Sequence, residues 1–169
     1  MSHSNFWKDK VVAISGCNRP NGIGFALAQD IIAKGGKIVG IVRKSSSELD
    51  AIAFSVIDDI DNCSDDCGDR LVTKLNDKSI TKIDVFIANS GLLENKNQKI
   101  VSTADGDKLD IDCMRSMFEI NTLGPIKLSE ALFRSNHLQS GSSVFFMSSL
   151  MGSIGDASGK CFYILKIFY

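Results

Sequence analysis

The chain has 169 residues, 44% of them hydrophobic and 23% charged, with a formal net charge of −1. These values fit one soluble domain with a sizeable core, and the near-neutral balance argues against nucleic acid or a membrane surface as the main partner. No apolar run reaches the length of a membrane span and Met1–Lys10 is too polar for a signal peptide, so a cytoplasmic chain with five reduced cysteines is expected.

The first strand is expected over Lys10–Ser15, an apolar, β-branched run of the kind a strand covered on both faces requires. It leads into Gly16-Cys17-Asn18-Arg19-Pro20-Asn21-Gly22-Ile23-Gly24, and then into a helix over Gly22–Lys34 whose apolar positions recur at helical spacing. A strand, a glycine turn and a helix set free backbone N–H groups at the positive end of a helix dipole, which suits a phosphate or pyrophosphate. Glycine matters there because a Cβ would block the turn or hold the phosphate off the backbone. The plainer reading keeps Gly22 and Gly24 as turn and helix-start residues only.

Gly35-Gly36 ends that helix, and strands follow at Lys37–Val42 and Phe54–Ile57. Between them Ser45-Ser46-Ser47 marks the start of a short helix. A helix over about Asp66–Asn76, a strand at Ile83–Ala88, a polar loop over Leu92–Asp110, a long helix over Ile111–Arg134 and a strand at Ser143–Met147 complete the pattern. Pro125 falls inside the long helix and predicts a kink or local irregularity. Strands alternating with helical segments predict an α/β fold, a parallel sheet with helices on its faces. Cys63 and Cys67 are the closest cysteine pair, but no second Cys/His pair completes a metal site, so none is expected.

Four blocks in order carry a family resemblance: the glycine turn, Asn89-Ser90-Gly91 after the fourth strand, Asn121-Thr122-Leu123-Gly124-Pro125, and Ser148-Ser149-Leu150-Met151-Gly152 after the fifth. Together they resemble the short-chain dehydrogenase/reductase family, over nearly the whole chain. Within it, the blocks around Asn121 and Ser149 look most like the compact carbonyl reductases of the bacterial C-factor and insect sniffer type. The resemblance implies a doubly wound parallel sheet (Rossmann fold) in three αβα layers. In that fold the ligand lies beyond the carboxyl ends of the strands. The residues implied at the cofactor are Gly16, Asn18, Arg19, Gly22, Ile23 and Gly24 in the turn, Arg43 after the second strand, Asp58 after the third, and Asn89 and Gly91 after the fourth. Ile23 would lie under the pyrophosphate, and Asp58 at the adenine amino group. NAD-specific relatives carry an acid where this chain has Arg43-Lys44. A cationic pair suits a 2′-phosphate, with Arg19 adding to the site, so NADPH is expected over NAD.

Family chemistry is hydride transfer between a nicotinamide and a small carbonyl or alcohol. The resemblance assigns Ser149 to hold the carbonyl, Tyr163 to give or take the proton, Lys166 to lower the phenol's pKa, and Asn121 to anchor a water relay. The plainer reading of Asn121 is a buried amide bonded to helix backbone. Two departures stand out. The spacer between Gly16 and Gly22 is five residues, longer than most members carry. The family pairs tyrosine and lysine four residues apart, whereas Lys166 follows Tyr163 by three and has Phe162 at the fourth position back. The chain is also expected to lack the family's later strands and substrate-covering segment, which would leave the fold incomplete at its C-terminal end. These features keep a second reading open, a non-catalytic dinucleotide-binding or interaction protein. A flavodoxin-like module would explain the strands but not Asn89, Asn121 or Ser149. The helix carrying Asn121 belongs to the usual subunit interface of the family, so a homodimer is expected.

Overall fold

The structure, a computed structural model, describes residues 6–92 and 110–148. Its elements run β1 (Val11–Ser15), α1 (Ile23–Ala33), β2 (Lys37–Ile41), α2 (Ser47–Ile52), β3 (Ser55–Ile57), α3 (Cys67–Asp77), β4 (Ile83–Ala88), α4 (Ile111–Phe118), a π-helical segment (Glu119–Leu123), α5 (Gly124–Arg134) and β5 (Leu138–Phe146). The strands form one parallel sheet in the order β3-β2-β1-β4-β5. This is the doubly wound α/β arrangement expected from the alternation of elements.

Both faces of the sheet are covered, and successive strand residues divide between them. Val12, Ile14, Ile38, Val85 and Ile87 pack with Phe25, Ala28 and Ile31 of α1 and Leu49 of α2. Ala13, Val39, Ile41, Ile57 and Phe86 pack on the other side with Leu71 and Leu75 of α3 and Leu128 and Leu132 of α5. The continuous apolar runs of β1 and β4 follow from this two-sided burial.

Short-range rules explain most element ends. The Ser46 hydroxyl accepts from the Leu49 N–H at 3.2 Å and caps α2. Gly35 follows the C-cap of α1 with φ +83°, where a side chain would be strained.

The long helix is interrupted just before Pro125. Proline has no N–H to donate to the carbonyl four residues back, and the ladder widens to π-type bonding over Glu119–Leu123, with the Gly124 N–H on the Glu119 carbonyl. Asn121 therefore sits inside an irregularity that Pro125 foretold.

β5 corrects the expected Ser143–Met147. It starts at Leu138, and its register against β4 shifts between the pairs Ile83–Leu138 and Val85–Ser143. Gly141 at φ +89° and the Ser142 hydroxyl donating to the Ile83 carbonyl at 2.7 Å accommodate the extra residues. The polar stretch Gln139–Ser142 has no strand pattern of its own, so the bulge is set by pairing with β4. Of the expected loop over Leu92–Asp110, residues 93–109 lie outside the described residues. Among the described residues, no helix is long and apolar enough to cross a membrane.

Candidate functional site

Strand order reverses between β1 and β4, so the crevice of interest opens where the chain leaves these two strands. Gly16 leaves β1 with φ +69°, and a Cβ there would stand 2.8 Å from the Ser90 Cα. The chain leaving β4 thus lies directly against the glycine turn. At Gly24 a Cβ would run into the Asn89 side-chain amide and come within 2.8 Å of the Gly16 carbonyl. Both glycines are required by close approach. Gly24 and Asn89 therefore meet where the chain leaves β1 and β4, and Gly22 lies just before Gly24 at the start of α1.

The helix start has the character a phosphate needs. Gly22 is the N-cap of α1 and brings no side-chain acceptor. The first helical bond runs from the Ala26 N–H to the Gly22 carbonyl, 3.1 Å, so helix geometry leaves the N–H groups of Ile23, Gly24 and Phe25 without an acceptor inside the helix. The Gly22 N–H itself closes a turn onto the Arg19 carbonyl at 2.8 Å, with Pro20 in the turn. Ile23 is 67% exposed, an apolar side chain at the mouth of the crevice. Between the glycines Cys17 is fully buried, its thiol donating to the Ile14 carbonyl at 3.3 Å. Burial pushes that thiol up to about 11, so it stays a neutral packing group.

The amide side chains fasten the crevice together. The Asn89 Nδ2 donates to the carbonyls of Ser15 (3.1 Å) and Gly16 (3.0 Å). Ser15 Oγ accepts from the N–H groups of both Asn89 and Ser90, each at 3.0 Å. Asn89, implied at the cofactor, has its amide nitrogen engaged in joining the ends of β1 and β4. Ser15 was not singled out from the sequence. Its signal was a lone hydroxyl closing an apolar strand. Asn121 makes a reciprocal pair with the main chain of Leu92: its Oδ1 accepts from the Leu92 N–H at 2.7 Å and its Nδ2 donates to the Leu92 carbonyl at 2.9 Å. The π-helical segment is thereby tied to the chain just beyond Gly91, which is exposed.

On the β2–β3 side, Arg19, Arg43 and Lys44 are all exposed, and none of them makes an ion pair among the described residues. Asn18 does not face outward alone, because its Nδ2 donates to the Lys44 carbonyl at 2.9 Å. Asp58 is an exposed carboxylate 3.6 Å from Lys74 Nζ, which also donates to the Asp58 carbonyl. Asp59 pairs with Arg70, and Asp61 accepts from the Cys63 N–H at 3.0 Å. Asp61 thereby closes the turn before α3, and Asp59 is held by a helix side chain. Lys74 and Arg70 were not foreseen, since both lie in α3 and reach back to β3's end only in the fold.

At the other end of the crevice, the Met147 N–H donates to the Ala88 carbonyl at 3.0 Å, so β5 leaves the sheet beside β4. Ser149, Tyr163 and Lys166 lie outside the described residues. Cys63 precedes α3 and Cys67 begins it. Among the described residues no group of three or more His, Cys, Asp or Glu side chains could hold a metal ion.

This crevice, with amides, glycines and cations at the carboxyl ends of parallel strands, is the ground plan of a dinucleotide-binding fold. Residues 10–163 match the short chain dehydrogenase family, and the chain belongs to it. It is similar to the 1-hydroxy-2-glutathionyl-2-methyl-3-butene dehydrogenase of a Rhodococcus species, with 25% identity over 146 residues, 86% of this chain and 60% of that protein. It is also similar to an uncharacterized oxidoreductase of Schizosaccharomyces pombe, with 27% identity over 154 residues, 87% of this chain and 57% of the relative. The chain therefore spans a little over half the length of these two relatives. A Burkholderia multivorans protein assigned to the short-chain dehydrogenases/reductases, solved with bound NADP, shares the fold with a TM-score of 0.71 at 22% identity, over 90% of this chain and 64% of that one. Aldohexose dehydrogenase of Thermoplasma acidophilum, solved in ligand-free form, does so with a TM-score of 0.67 at 22% identity, over 88% of this chain and 52% of that one.

Proposed function

We propose that this chain is the dinucleotide-binding domain of an NADPH-dependent oxidoreductase acting on small carbonyls or alcohols, of the C-factor and sniffer type. One observation carries the reading: the uncapped start of α1, set against the chain leaving β4 by the close-packed Gly16 and Gly24, forms a cradle of N–H groups with no acceptor inside the helix, beside cations that make no ion pair among the described residues. The donor set fits a diphosphate at the N–H groups of Ile23, Gly24 and Phe25. Arg43, Lys44 and Arg19 suit a 2′-phosphate, which favours NADPH over NAD. Asp58, exposed beyond β3, is the adenine-side acceptor, and Gly91 leaves room along the nicotinamide ribose.

When bound, the nicotinamide supplies the hydride. This chain's own groups handle the oxygen and its proton. Ser149 holds the carbonyl oxygen, Tyr163 gives the proton, and the Lys166 cation makes the phenol acidic enough to do so near neutrality. Asn121 keeps the segment after β4 in place through Leu92. A homodimer through the helix carrying Asn121 belongs to the same reading.

A dinucleotide-binding protein without turnover is the second reading. It is favoured by the Tyr163–Lys166 spacing of three and by an Asn121 side chain already engaged with Leu92 on both its polar atoms. Fluorescence titration with NADPH, followed by an NADPH-oxidation assay on small aldehydes and ketones, separates the two. The enzyme reading expects turnover that Tyr163→Phe abolishes, and turnover indifferent to that change removes Tyr163 as the acid. Saturable binding without turnover selects the second reading. Failure to bind any dinucleotide removes both.

A further inference from the structure

The glycine turn carries a long spacer, and the structure shows what holds it. Cys17 is anchored in the core through Ile14, and the Arg19–Gly22 turn closes on itself. Between them Asn18 crosses to the chain after β2, its Nδ2 donating to the Lys44 carbonyl at 2.9 Å across 26 residues of sequence. The preceding carbonyl, that of Arg43, accepts from the Asp59 N–H at 3.1 Å. The main chain of the cationic pair is thus gripped from both flanks, by the chain after β3 on one side and by the glycine turn on the other. Its two side chains stay exposed and without an ion pair among the described residues.

We infer that Asn18 is a positioning residue for cofactor choice: its amide clips the long glycine turn to the Arg43–Lys44 main chain and so sets the distance between the diphosphate cradle and the cations that meet a 2′-phosphate. The inference rests on the proposed dinucleotide binding. Asn18 was expected to touch the cofactor itself, whereas its donor is here directed at Lys44. A 2′-phosphate rewards cations held at one distance from the diphosphate, while a cofactor with a free 2′-hydroxyl makes no such demand. Loosening the clip should therefore penalise one cofactor and spare the other. A mere loss of local order would weaken both alike.

The test is titration of the chain with NADPH and with NADH, for the unmodified protein, Asn18→Ala, Arg43→Ala and the double variant. Asn18→Ala should raise the Kd for NADPH about five- to tenfold, the scale of one hydrogen bond, and change that for NADH less than about twofold. In the double variant the two effects should fall short of additive, because both act on one contact. Asn18→Gln keeps an amide donor and should recover part of the NADPH affinity; it also serves as the probe if the alanine variant fails to fold. Equal weakening of NADPH and NADH, full additivity with Arg43→Ala, or no recovery in Asn18→Gln overturns the role of Asn18 and leaves dinucleotide binding standing. If the unmodified chain binds neither cofactor, the functional reading fails and the inference with it.

Discussion

The middle of the sheet and its β5 edge carry similar apolar runs and meet opposite surroundings. Ile83-Asp84-Val85-Phe86-Ile87-Ala88 in β4 is flanked by β1 and β5 and covered on both faces, and Phe86 is fully buried. Val144-Phe145-Phe146-Met147 is paired on one side only among the described residues, and Phe146 is 57% exposed beside the buried Ala88. A run of apolar residues therefore states what a strand is able to bury. Its place in the sheet decides how much of that burial happens.

Four measurements would break or sharpen this contrast, all read by urea unfolding. Phe86→Ala should cost the most, about 3–5 kcal/mol, through a cavity between β4 and α5. A loss under 1 kcal/mol would mean that the middle of the sheet is far looser than its packing shows. Ser15→Ala should come next at about 1–3 kcal/mol, since it strips the acceptor from the N–H groups of Asn89 and Ser90 where β1 and β4 end. Ser15→Thr, which keeps the hydroxyl, should recover much of that loss.

The third measurement follows pH. His137 is buried between α5 and β5, with Nδ1 2.7 Å from the Ser135 hydroxyl. Burial holds its imidazole below the ordinary value. The unfolded chain then binds the proton more readily than the folded one, so stability is full above the ordinary value and falls as pH drops through it towards the folded value. His137→Phe should flatten the stability curve between about pH 7 and 5. An unchanged slope would show that other groups set it. Phe146→Ser should have the smallest effect, within about 0.5 kcal/mol, as expected for an exposed position. A loss rivalling that of Phe86→Ala would show that the β5 edge is covered in solution.

Much was legible before any coordinates. β-branched runs, helical spacing, Ser46, Gly35 and Pro125 act through neighbours a few residues away, so the order of elements, the capped short helix and the irregular stretch around Asn121 could be read directly. The glycine turn could be read as well, because a strand that runs through glycines into a helix leaves few geometric choices. Only the folded chain decided where the amides went. Asn18 meets Lys44, Asn89 meets Ser15 and Gly16, and Asn121 meets Leu92, at separations of 26 to 74 residues. Main-chain carbonyls and N–H groups are chemically alike at every position, so nothing in the sequence marks which one a distant amide will find. The bulge that lengthens β5 arose in the same way, from the edge of β4 rather than from any pattern in Gln139–Ser142. Local chemistry determined the elements and the mouth of the crevice; packing of the strand ends chose the partners that hold it in shape.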